Sequence, residues 1–333
     1  MVSAIKRTAL AAVIAVAGVS TSARAAEVIK IDGSSTVYPV TEAVAEEFGS
    51  QSGGKTRITV GISGTGGGFK KFVRGETDIQ DASRPILDTE MADAKKNGIN
   101  YLELPVAFDA LTVVVSKQND WVDHFTVDEL KKIWEPGAQG KIMKWSDVRS
   151  SWPDTPLKLY GPGADSGTFD YFTEAIVGKS KSSRGDYTAS EDDNVLVQGV
   201  SGDRAALGYF GFAYFAENAD KLKAVPVVNP ATKKPVAPSE QSVMDATYEP
   251  LARPIFIYVN TKSLQRPEVR QFVEFYLKEG ADLAKEVKYI PLPENAYQKL
   301  LARVKDGSTG TAYGGKAEAG VKIDELLQRE LKN

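Results

Sequence analysis

Three short stretches carry residues suited to holding an anion: Ser34-Ser35-Thr36, Ser63-Gly64-Thr65-Gly66 and Asp165-Ser166-Gly167-Thr168. Each combines hydroxyl side chains with small residues. Hydroxyls donate hydrogen bonds, and glycine lets a backbone N–H approach a ligand closely. If the three converge, their donors suit a compact tetrahedral oxyanion. One such stretch alone serves equally well as a helix cap, in which Ser35 or Thr36 satisfies free N–H groups. The argument for an anion therefore rests on their number. Arg84, beside Ser83, offers a fixed charge and a donor fork, or is a surface side chain or an ion pair with Asp81. Arg184 has the same alternatives with less support.

The flanking patterns place each stretch at a strand-to-helix junction. Residues 28–31 read as a strand and 37–48 as an amphipathic helix, while 57–63 are a strand and 69–75 a short helix. Residues 157–160 form a strand, and Phe169, Phe172 and Ile176 mark the buried side of the helix that follows. At such junctions the helix dipole adds positive character, and ligands of open α/β sheets bind beyond the carboxyl ends of strands. Residues 101–106 and 111–116 read as two β runs joined through 107–110. Residues 206–215 suit a buried strand and turn, and 251–260 form a strong β run. Pro267 opens a helix with Val269, Phe272, Phe275 and Tyr276 on its apolar side. Alternating strands and helices predict an α/β class with largely parallel sheets.

The 333-residue chain is long enough for two lobes. Lys6-Arg7, the apolar run 8–19 and Ala23-Arg24-Ala25 read as a secretory signal peptide, residues 1–25, cleaved after Ala25. The expected mature protein is soluble and periplasmic. With no cysteine, its fold relies on the core alone. The signal segment holds three of the 41 basic residues and no acid, which leaves 38 bases against 44 acids, a net charge of −6. That balance argues against nucleic acid or an anionic membrane surface as partner. Residues 61–71 lack the Lys-Ser/Thr that a nucleotide phosphate loop requires after its second glycine. A single histidine, His124, and no cysteine leave metal sites unsupported, and Glu191-Asp192-Asp193 lacks calcium-loop spacing. No G-x-S-x-G elbow surrounds Ser166. No cofactor and no catalytic residue are expected, which weighs against the competing reading of an exported phosphate-ester hydrolase.

The stretches IDGSSTVYPVTEAVAEEF, GISGTGGGFKKF, GETDIQDASRPI, YGPGADSGTFDYF and ALGYFGFAYF occur in this order. Together they resemble the periplasmic phosphate-binding proteins of phosphate-specific ABC transporters. The resemblance implies a two-lobe α/β binding-protein fold, type II-like, with two hinge crossings. It places lobe 1 at residues 26–106 plus 251–333 and lobe 2 at 107–250. It implies a monomer that captures inorganic phosphate and delivers it to membrane permease subunits. By the same resemblance, Thr36 and the Val37 N–H, Ser63, and Ser166, Gly167 and Thr168 contact the anion; Thr65, Ser83 and Arg84 join the expected site on their residue types and turns alone. Two charges depart from the family's pattern: Arg84 stands where many members carry an acid, and Pro162 where many carry an arginine. Phosphate keeps a proton near neutral pH and gains from an acceptor, whereas sulfate has none. Asp165 is the first candidate acceptor and Asp193 the second. Without one, another oxyanion such as sulfate or molybdate becomes the alternative ligand.

Overall fold

The computed structural model describes residues 27–54, 56–164, 166–190, 192–316 and 321–333. The expected signal peptide, residues 1–25, and Asp165 lie outside the described residues.

Strand β1 (Glu27–Gly33) buries Ile29 and Ile31. Helix α1 (Tyr38–Gln51) follows and lays Val40, Val44 and Phe48 inward at four-residue spacing, one face of a helix. Strand β2 (Thr56–Ile62) and strand β3 (Ile79–Ala82) both pair parallel with β1. Between them, helix α2 (Thr65–Phe72) starts four residues earlier than the apolar pattern suggested, taking in glycines that carry no periodic signal. Helix α3 (Asp88–Lys96) completes this half.

Strand β4 (Tyr101–Ser116) is one continuous strand of 16 residues, all buried, where the sequence suggested two runs. Asp109 breaks the apolar pattern, but it lies opposite Arg253 across the ladder, so the pairing continues past it. The strand Ala252–Asn260 runs antiparallel between β3 and β4. At the far end, β5 (Lys158–Pro162) pairs parallel with β6 (Thr188–Ser190) and with β7 (Ala206–Gly211), and β7 returns antiparallel onto β4. The curled sheet is thus parallel at its two ends and antiparallel at its centre, not largely parallel throughout. The two central strands run oppositely because the chain passes from one half to the other and back.

Aromatic packing fixes each half. Phe69, Tyr101 and Tyr258 meet edge to face beneath α2, with Phe69 5.0 Å and Tyr101 5.7 Å from Tyr258 between ring centroids. In the other half, Tyr209 stacks on Phe172 and meets Trp134 edge-on, so residues 206–210 are core. The helix Pro267–Glu286 buries Val269, Phe272 and Tyr276, and Phe275 packs edge-on against Phe48. The carboxylate of buried Glu103 accepts from Tyr258 (2.7 Å), Thr311 (2.5 Å) and the Ala312 N–H (2.9 Å), which fastens the glycine-rich C-terminal stretch to this core. Among the described residues, no helix is long and apolar enough to cross a membrane.

Candidate anion-binding cleft

The first wall is the turn between β1 and α1. Gly33 has φ +146°, and a Cβ there would lie 2.2 Å from the Asp81 carbonyl oxygen, so the close approach of β1 to β3 requires glycine. The Ser34 N–H donates to that carbonyl at 2.9 Å. Ser34 then closes the turn: its hydroxyl accepts from the Thr36 N–H (3.2 Å) and its carbonyl from the Val37 N–H (3.2 Å). The expected role of Val37 is therefore corrected. Its N–H is spent inside the turn, and its side chain is fully buried. Thr36 remains at the cleft and lines the cavities on both sides of it. Tyr289 donates to the Thr36 carbonyl at 2.6 Å.

The second and third walls are tied together. The Thr65 hydroxyl accepts from the Ser83 N–H (3.1 Å) and lies 3.0 Å from the Ser83 hydroxyl. Ser63 donates to Asp32, whose other carboxylate oxygen pairs with Lys71 at 2.6 Å. Thr36, Ser63, Thr65, Ser83 and Arg84 line one cavity of about 240 Å³, together with Arg253. Asp170 and Glu174 close it from the opposite half.

Arg84 does not pair with Asp81. It donates to both carboxylate oxygens of Glu90, at 2.8 and 2.9 Å, and to the Pro85 carbonyl at 3.0 Å. Asp81 is buried, and desolvation pushes its carboxyl up to about 8; the nearby Asp32 charge adds to this and the Thr41 hydroxyl opposes it. An uncharged Asp81 has no need of an arginine. Arg184 lies away from the cleft. It is 2% exposed and donates to Asp186 and to the carbonyls of Ile133 and Ile142, so it fastens a loop.

Arg253 is the cationic residue that sequence reasoning missed. It comes from the central strand Ala252–Asn260, with its side chain 15% exposed. Its guanidinium carbon sits 3.5 Å from the centroid of the Tyr171 ring, Nη1 lies 3.6 Å from Glu174, and Nε lies 4.0 Å from Asp109. Nε is buried without a hydrogen-bond partner. Burial pushes the Asp109 carboxyl up to about 6, against the pull of Arg253. A signal was available: an arginine inside the apolar run 251–260 must pair or meet a ligand, because a buried unpaired charge is costly.

The last wall is the helix Gly167–Phe172, whose N-cap Ser166 accepts from the Thr168 N–H at 3.2 Å. Gly167 packs directly on the first wall: a Cβ there would lie 2.5 Å from Thr36 Oγ1 and 2.6 Å from Thr36 N. Ser166, Gly167 and Thr168 line a cavity of about 480 Å³ on the far side of Thr36, with Asp193 also on its wall. The three hydroxyl stretches thus meet at Thr36, two on one side and one on the other.

The sequence from 18 to 279 matches the model of the PBP superfamily domain. Protein SphX of Synechococcus elongatus is 53% identical over 302 residues, which is 91% of this chain and 88% of its own. The phosphate-binding protein PstS of Staphylococcus saprophyticus is 38% identical over 281 residues, 84% of each chain. A crystal structure described as a possible phosphate-binding protein from Planctomyces limnophilus aligns with a TM-score of 0.79 at 48% identity, covering 84% of this chain and 98% of that one. The chain belongs to the PBP superfamily, in the group that includes the SphX and PstS proteins. Its fold is accordingly the two-lobe α/β fold of binding proteins, with β4 and the strand Ala252–Asn260 paired antiparallel at the centre of the sheet.

Proposed function

We propose that this chain is a periplasmic receptor that captures inorganic phosphate between its lobes and delivers it to the permease subunits of an ABC transporter. The lobes are taken as residues 26–106 plus 251–333 and 107–250. The signal peptide is removed after Ala25, and the mature protein acts as a monomer with no chemical step. The observation that carries this reading is the meeting of hydroxyl-rich turns from both halves at Thr36, with Arg84 and Arg253 on the cavity that Thr36 shares with Ser63, Thr65 and Ser83. The names of the relatives, phosphate-binding proteins among them, point the same way. Thr36, Ser63, Thr65, Ser83 and Arg84 serve from lobe 1, and Ser166, Gly167 and Thr168 from lobe 2. Arg253 supplies the charge that the family's arginine supplies elsewhere. Donors from both sides reach the anion together only when the lobes close, so binding favours the closed form.

Calorimetry of the phosphate-free mature chain tests this reading, with sulfate and arsenate as competitors. One phosphate per chain is expected, undisturbed by sulfate. Heat from sulfate and none from phosphate would overturn the phosphate assignment in favour of another oxyanion.

A further inference from the structure

Neither Ser63 nor its neighbours are arranged as the simple donor set that the hydroxyl-rich turns suggest. Asp32 lies opposite Gly61 in the β1–β2 ladder. A Cβ on Gly61 would come within 2.5 Å of an Asp32 carboxylate oxygen, so the missing side chain lets Asp32 reach across β2. There one carboxylate oxygen accepts from the Ser63 hydroxyl and the other holds the Lys71 ammonium at 2.6 Å. A serine hydroxyl has a single proton. With that proton committed to a charged acceptor, Ser63 presents lone pairs to the cavity it lines.

We propose that Ser63, polarised by the Asp32–Lys71 pair behind it, accepts the proton of monohydrogen phosphate and thereby discriminates against sulfate. The assignment rests on the phosphate reading above. It places the negative charge behind the turn, where Lys71 balances it, and not against the dianion. The carboxylates that line the cavity itself are drawn aside, Glu174 towards Arg253 at 3.6 Å and Asp170 towards Lys181 at 3.8 Å. Sulfate offers no proton, so at Ser63 it meets lone pair against lone pair.

The test is the ratio of phosphate to sulfate affinity, measured by calorimetry on the full mature chain and its variants. In Asp32→Asn, Lys71 holds the amide oxygen, so the amide NH2 donates to Ser63 and frees its proton to point at the ligand. Phosphate should weaken and sulfate strengthen, and the ratio should fall at least tenfold, the equivalent of one hydrogen bond to a charged group. Ser63→Ala, a change at an exposed turn that leaves folding intact, should weaken phosphate about tenfold and leave sulfate no weaker. Equal losses for both anions in Ser63→Ala would make Ser63 a donor and overturn the proposal. A ratio that collapses in Glu174→Gln or Asp170→Asn but not in Asp32→Asn would overturn it as well, by placing the acceptor on the other lobe. If the unaltered chain binds neither anion, the phosphate reading itself fails, before any variant is compared.

Discussion

Arg253 holds a guanidinium between Tyr171, Glu174 and Asp109 while its Nε–H lacks an acceptor. A buried donor left in that state costs free energy that a bound oxyanion would recover. Arg253→Gln should therefore weaken phosphate binding by about 1.5–3 kcal/mol, the range for a charge-assisted hydrogen bond. Arg84→Ala should weaken phosphate binding and also lower the melting temperature, because Glu90, which accepts from the Leu87 N–H at the start of α3, loses its partner. Calorimetry and thermal melts on the two variants check both; unchanged phosphate affinity in Arg253→Gln would contradict its assigned role. Asp81 and Asp109 make a second prediction. A carboxyl raised by burial stabilises the fold fully below its unfolded value, near 3.9, and loses that contribution as pH rises through its folded value. Those folded values are about 6 for Asp109 and about 8 for Asp81. The melting temperature should thus fall as pH rises from 4 to 8, and Asp81→Asn should flatten the fall. A variant that tracks the unaltered protein across that range would contradict the assignment. In the sequence Arg84 stands out because it follows a hydroxyl turn, whereas Arg253 lies in a β run whose apolar character masks its one charge.

At the scale of elements, the strand-to-helix junctions were legible, and the centre of the sheet was not. Ser34–Thr36, Ser63–Gly66 and Ser166–Thr168 all lie at or beside the first turn of a helix because small polar residues follow an apolar run in each case. Continuity of β4 through Asp109 could not be read locally, since its partner Arg253 lies more than a hundred residues away. The Val37 N–H was misassigned for a related reason: the helix start leaves N–H groups free in general, and here the Ser34 carbonyl reaches one of them. Gly167 gives the prediction at this scale. A methyl group there would collide with Thr36, so Gly167→Ala should fold normally yet weaken phosphate binding about tenfold or more by holding the two turns apart. Unchanged affinity in calorimetry would show that the Thr36–Gly167 contact is not part of the bound state.

For the molecule as a whole, the proposed lobe boundaries put the two crossings on β4 and the strand Ala252–Asn260, which set Asp109 opposite Arg253, so on that proposal the hinge and the binding site share residues. The two-lobe architecture followed from the order of five motifs along the chain. The contact between lobes at Thr36 needed the structure, because no local pattern reports which turns face each other. Closure on the ligand is then a property of the pair of lobes. Small-angle X-ray scattering of the mature chain, first freed of phosphate and then saturated with it, reads that closure. The radius of gyration should decrease with phosphate and stay at its ligand-free value with an equal concentration of sulfate. A radius unchanged by saturating phosphate would contradict capture between closing lobes.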